Sequence, residues 1–248
     1  QGEVRQVAAA VSGIFAEAAG TSLQRQLLYG EQFTVLEDRG GFSFGISARD
    51  GHVGYLNTDH LGPASEATHI VSSRGTHFYP TSNIKAPPVM AASFGTRIRI
   101  VSASGNFFET DAGLFVPRNH VRPAKLPFND PASVAQLFFG TPYLWGGNSS
   151  AGIDCSGLVQ AAFLGCAIAC PADSDQQEKA VGEPLDELQQ TQRGDLIFWA
   201  GHVAIAVDHQ TLIHANAHDM SVTYEPIEAA VSRIADQGGC YVTSRKRV

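Results

Sequence analysis

The stretch GIDCSG, residues 152–157, sets a thiol between a carboxylate and a small hydroxyl side chain, with glycine at both ends. From Cys155 onward the apolar residues Val159, Ala162, Phe163 and Cys166 recur on one helical face. A helix is therefore predicted to begin at the cysteine, with Asp154 as its N-cap. In a first helical turn, unpaired backbone N–H groups and the positive end of the helix dipole favour a thiolate, and the thiol pKa falls well below its free value of about 8.5. Small Ser156 and Gly157 let a substrate backbone come close. A thiol nucleophile also needs a proton acceptor. RGDLIFWAGHVAIAVDHQTLIHANA (193–217) reads as two β runs joined by a turn at Asp208–Gln210, with His202 opening the first and His214 in the second. A three-residue turn would put both histidines on one sheet face as diagonal neighbours, about 7–8 Å apart at the backbone, so that one imidazole can orient the other. Zinc is the rival use of Cys155, His202 and His214. No Cys-x-x-Cys or His-x-x-x-His pairing accompanies them, which favours nucleophilic chemistry.

The elements that must hold these residues change character along the chain. In PASVAQLFFG (131–140), Val134, Leu137 and Phe138 mark a short amphipathic helix that ends at Gly140, and TPYLWGGNSSAGIDC after it is a loop. The first 125 residues instead carry short β runs, EQFTVLED (31–38), FSFGISA (42–48) and HVGYLN (52–57), punctuated by a Gly pair and Asp-Gly. The segment 89–121 repeats that order, as tandem small antiparallel barrels would. The prolines of VRPAKLPFNDP (121–131) mark the boundary.

Composition excludes several classes. The chain has 248 residues, is 44% hydrophobic and has a formal net charge of −7. That balance argues against a nucleic-acid groove or an anionic lipid surface, both of which need clustered Lys and Arg. The one basic cluster, the terminal SRKRV, is expected to be a solvated tail. No run of about 18 apolar residues is present to span a membrane. Four cysteines are too sparse for a disulfide scaffold, and Cys166 and Cys170 are expected to be structural. With no signal-like segment visible, the expected location is cytoplasmic. His218 is expected in an exposed loop, and Trp145 and Trp199 are expected to pack the walls of a cleft. The sequence carries no signal for the oligomeric state.

PYLWGG…DCSGLVQ, RGDLIFW…GHVAI and LIHANA, in that order, resemble the three signature blocks of the NlpC/P60 cysteine peptidases over residues 128–248. The β-rich part is similar to bacterial SH3-like domains. The resemblance implies an α+β architecture: a papain-like NlpC/P60 catalytic domain (128–248) preceded by two small SH3-like barrels (1–62 and 63–125). It implies Cys155 as nucleophile, His202 as general base and His214 as the residue that orients it. The layout is similar to the γ-D-glutamyl-L-diamino acid endopeptidases that trim small murein peptides. That similarity implies Tyr143 beside the oxyanion, Asp154, Ser156 and Ser174 around the substrate's N-terminal L-Ala, and Glu31 near its amine. It implies a thioester intermediate and no metal or organic cofactor. Ala172 stands where many relatives have Arg before the Asp-Ser pair. Two other functions fit the same residues: a cell-wall-binding protein with a degenerate catalytic domain, and an acyltransferase on the same fold.

Overall fold

The computed structural model describes residues 2–186, 188–238 and 241–248. The chain forms two compact units, Gln1–Pro127 with Asn148–Ser150, and Phe128–Gly147 with Ala151–Val248.

The first unit is built from short antiparallel strands around two cores. In the first, the strands run in the order Leu23–Leu28, Val11–Phe15, Val53–Asn57, Phe42–Ser47, Gln32–Arg39, Glu3–Val7 and Leu61–Pro63. Alternate side chains point inward, and Val7, Ile14, Leu27, Phe33, Val35 and Leu56 form the core. Arg39 pairs directly with Phe42, so Gly40 and Gly41 make a two-residue hairpin turn. Both have positive φ, +62° and +85°, as a primed turn that follows the strand twist requires. The second core gathers Val71, Phe78, Ala92, Ile98, Val116 and Val121. Its strands begin at His69, so this half is larger than the 89–121 repeat seen in the sequence.

Glu31 is buried in this unit, not displayed on an exposed turn. One of its oxygens accepts from the Leu28 amide at 2.8 Å and from Arg49 Nη1 at 3.0 Å. Arg49 also reaches Asp50 Oδ2 and the Gln26 carbonyl. The Arg49 and Glu31 side chains are only 8% and 10% exposed, so removing the carboxylate leaves a desolvated cation with half its counter-charge. Breaking a buried pair costs about 3–5 kcal/mol, and with Asp50 still in place the expected loss for Glu31→Ala is near the lower end. Chemical denaturation of the intact chain checks it, and an unchanged unfolding midpoint for this unit would contradict the buried pairing.

The second unit is an antiparallel sheet in the order Glu183–Pro184, Val242–Arg247, Leu196–Trp199, His202–Ala206, Thr211–Asn216, Ser221–Pro226. Among the described residues four α-helices accompany it: α1 (Pro131–Gln136), α2 (Cys155–Gly165), α3 (Ser174–Ala180) and α4 (Ile227–Gly238). Asp130 caps α1 by accepting from the Ala132 amide at 3.0 Å, and Pro131 fills the first helical position, where its missing N–H costs nothing. The chain leaves the turns after α1 through Gly140 at φ +78°. On one sheet face Ile197, Trp199, Ala204 and Leu212 pack with Ala230 of α4.

Two details differ from the sequence reading. LIFW and HVAIA are separate strands, turned at Ala200–Gly201, so the segment 193–217 holds three strands. The terminal SRKRV is part of an inner strand of the sheet and no tail, with Leu196 opposite Lys246 and Ile197 opposite Arg245. Arg245 donates to the Asp186 and Gln189 carbonyls and Arg247 to the Gln190 carbonyl, in the segment that leads into Leu196–Trp199. There the Arg247 guanidinium forks onto Asp195 at 2.8 and 2.7 Å.

Candidate active site

α2 starts at Cys155, and Asp154 is its N-cap. Asp154 Oδ1 accepts from the Gly157 amide at 2.7 Å and from Ser156 Oγ at 3.2 Å. Its Oδ2 accepts from the Gly146 amide at 2.9 Å, so one buried carboxylate ties the WGG loop to the first turn of the helix. Cys155 sits at that turn, 7% exposed, where the helix dipole favours a thiolate. Tyr143 lies alongside through backbone pairing: it bridges Ile153, and the Ile153 amide donates to the Pro142 carbonyl at 3.0 Å.

Ser156 and Ser174 are joined indirectly. Gln177, fully buried in α3, donates from Nε2 to the Ser156 and Pro171 carbonyls, both at 2.9 Å. Ser174 precedes Gln177 by one turn on the same helix face and is half-buried. Ala172 is buried beside the start of α3.

The two histidines meet as their spacing predicts. Asp208 Oδ1 accepts from the Gln210 and Thr211 amides and closes the turn. Ile205 then pairs with Ile213, and continuing that register sets His202 opposite Asn216 and diagonal to His214. His202 Nε2 and His214 Nδ1 are 2.9 Å apart, and the rings cross edge-on. The buried Trp199 ring lies against His202 at 5.5 Å between centroids. Burial pushes His202 down to about 3, helped by the neighbouring His214 and the Arg233 cation. Burial likewise takes His214 down to about 4, although Glu225 opposes the shift. Both rings are therefore neutral near pH 7.

Sequence reasoning missed what lies behind His214. Glu225 Oε2 is 3.1 Å from His214 Nε2, and the Arg233 guanidinium of α4 grips the same carboxylate. The signal was available in principle: Thr223 lies opposite His214 in the sheet, and Glu225 is two residues on, on the same face. Trp145 does not pack a wall, being 70% exposed, whereas Trp199 is buried. His218 is exposed as expected. Among the described residues no disulfide forms, and no group of three His, Cys, Asp or Glu side chains is placed to hold a metal ion. Cys240 lies outside the described residues.

A cysteine at the start of a helix that packs on a sheet carrying a hydrogen-bonded imidazole pair is the architecture of the papain-like cysteine peptidases. Residues 140–235 match the NlpC/P60 family, and residues 14–61 match the bacterial dipeptidyl-peptidase SH3 domain. The chain thus carries an NlpC/P60 domain preceded by a bacterial SH3-like domain. It is 28% identical over 218 residues to the gamma-D-glutamyl-L-lysine dipeptidyl-peptidase of Bacillus subtilis (strain 168), a match covering 78% of this chain and 72% of that protein. It is 24% identical to the protein of the same name from Bacillus cereus, over 82% of this chain and 58% of the relative's length. A crystal structure of an NlpC/P60 family protein from Bacillus cereus superposes over 99% of both chains with a TM-score of 0.82 at 19% identity, which shows a shared fold.

Proposed function

We propose that this protein is a cysteine endopeptidase that hydrolyses the γ-D-glutamyl–diamino acid bond of small murein peptides bearing a free N-terminal L-Ala. The observation that carries the reading is the presence in one unit of Cys155 at the capped start of α2 and of the hydrogen-bonded His202–His214 pair. His202 Nε2 is committed to His214, which leaves His202 Nδ1 as the atom to receive the thiol proton. Cys155 Sγ attacks the γ-carbonyl carbon of D-Glu, and the developing oxyanion is held by the Cys155 N–H at the helix start, with Tyr143 beside it. The C–N bond then breaks as His202 returns its proton to the departing amine, leaving a thioester. Water, deprotonated by His202, hydrolyses that thioester and restores the thiol. Asp154, Ser156 and Ser174 border the pocket for the peptide's N-terminal residue. Support for a cut two residues from a free amine comes from the names of both bacterial relatives, which are dipeptidyl-peptidases.

Mass spectrometry of the products from L-Ala-γ-D-Glu-diamino acid tripeptide tests the reading. The expected products are the dipeptide L-Ala-γ-D-Glu and the diamino acid. The N-acetylated tripeptide should turn over at least about tenfold more slowly, because acetylation removes the charge and two of the donors by which a free amine is recognised. Intact tripeptide, or a transfer product in place of the dipeptide acid, would reject hydrolysis. Equal rates for the two peptides would reject the free-amine preference.

A further inference from the structure

His214 is fully buried, and its second ring nitrogen faces a polar assembly that extends to α4. Arg233 Nε donates to Glu225 Oε1 at 2.9 Å and Arg233 Nη2 to Oε2 at 2.7 Å, a two-point fork that fixes the carboxylate plane. Arg233 holds the Glu225 carboxyl below the usual carboxylate range, so it is ionised and can only accept. Its Oε2 stands 3.1 Å from His214 Nε2, which must therefore carry the proton.

The other neighbour of that nitrogen is an amide NH2 group, which competes for Nε2 as a donor but has other acceptors. Asn216 Nδ2 lies 3.0 Å from His214 Nε2. The Asp219 amide donates to Asn216 Oδ1 at 2.8 Å, which fixes the orientation of the side-chain amide. The two protons on Asn216 Nδ2 then find acceptors in the charged Asp219 Oδ2 at 3.1 Å and in Thr223 Oγ1 at 3.0 Å, so Asn216 does not require a lone pair on His214 Nε2, whereas the ionised Glu225 Oε2 requires a proton there. A neutral His214 with its proton on Nε2 has a bare Nδ1, which can only accept from His202 Nε2. A neutral His202 that donates from Nε2 has a bare Nδ1 in turn.

We propose that Glu225, clamped by Arg233, is a positioning residue that sets the tautomers of both imidazoles and stabilises the positive charge that His202 acquires when it takes the Cys155 proton. This inference rests on the reading of Cys155 as nucleophile and His202 as base. In the step concerned, the proton leaves Cys155 Sγ for His202 Nδ1 and produces a thiolate and an imidazolium. The carboxylate of Glu225 stays unprotonated throughout and acts through its charge. The ionisable groups around the pair are Glu225 from the adjacent strand, Arg233 from α4 and Asp219 from the connecting loop. Arg233 opposes positive charge on both rings, and Glu225, 3.1 Å from His214 Nε2, counters Arg233 by favouring positive charge on the His214 side of the pair.

Two measurements that use no peptide substrate test the proposal, so their failure is separable from failure of the proposed peptidase activity. In the intact protein labelled with 15N-histidine, NMR near neutral pH should show both His202 and His214 protonated at Nε2 with Nδ1 bare. A His214 protonated at Nδ1 would overturn the proposal, and this holds whether or not any variant folds. In Glu225→Gln the side chain keeps its size but loses its charge, and iodoacetamide alkylation of Cys155 near pH 6 should slow about tenfold, the effect of a one-unit shift in the thiolate–imidazolium equilibrium. The limb of the alkylation–pH profile should move upward accordingly. A folded Glu225→Gln protein with an unchanged alkylation profile and unchanged His214 tautomer would also overturn it.

Discussion

Replacing Cys155 by alanine is expected to reduce tripeptide turnover by more than about 10⁴-fold, because no other group can form the acyl intermediate and the remaining oxyanion and binding contacts supply only residual rate. The same substitution should leave the fold almost unchanged. Only one sulfur is removed, and the α2 cap is made by the Asp154 side chain and the Gly157 amide, neither of which it touches. Alkylation gives an independent check. At pH 6 iodoacetamide should modify Cys155 first, since it is at a helix start, whereas Cys166 lies at the opposite end of α2, where the dipole disfavours a thiolate, and Cys170 is buried beyond it. Retention of more than about one percent of turnover by the alanine variant would remove Cys155 from the role of nucleophile. So would first labelling of Cys166, Cys170 or Cys240 with activity retained.

The second large effect is acid instability of the catalytic unit. His214 and His202 are held neutral in the fold, with pKa values near 4 and near 3 against 6.5 for an ordinary imidazole. The unfolded chain binds protons on these rings below 6.5 while the folded chain does not, so folding stability rises with pH across this window and levels off above it. Falling from pH 7 to about 4.5 should therefore cost on the order of 2–3 kcal/mol for the fully buried His214, and less for His202, whose ring is partly exposed. Denaturant midpoints for the second unit as a function of pH check this. A His214→Gln variant, which removes the titrating group, should show a shallower dependence. A stability that is flat from pH 7 to 4.5 would mean that His214 takes up its proton in the fold as readily as in the unfolded chain, and with it the neutral-pair chemistry would fall.

The acid window and the nucleophile differ in how far the chain announced them. The start of α2 was legible because capping is local: Asp154, Ser156 and Gly157 act within one turn, and the apolar spacing after Cys155 fixes the face. The histidine pair was legible for a similar reason, since three turn residues between two strands dictate which side chains share a face. Hairpins such as Gly40–Gly41 belong to the same class, where positive φ at two successive positions leaves few other residues able to serve.

Where contacts join residues far apart in sequence, local pattern fails. The basic terminus looked like a solvated tail because charge was read without its partner. In the fold Arg247 meets Asp195, 52 positions away, and its strand pairs inside the sheet. The burial of Glu31 was not legible because nothing nearby in sequence shows Arg49 folding over it from the next hairpin. Trp145 looked like a packing residue from its neighbours, yet its loop turns it outward.

The sequence by itself determined the helix that starts at Cys155, the shared face of His202 and His214, and the change from a β-rich region to a helical pattern near residue 130, all of which rest on caps, turns and periodicity within about a dozen residues; the α+β catalytic domain was implied by the resemblance of three sequence blocks. Only the tertiary structure decided which nitrogen of each imidazole carries the proton, how Glu31 is spent, and that Glu225 and Arg233 stand behind the pair. The physical reason is that a tautomer is set by the donor or acceptor on the far side of the ring. That partner comes from whichever strand and helix the sheet order brings alongside, a choice made by the packing of the whole unit.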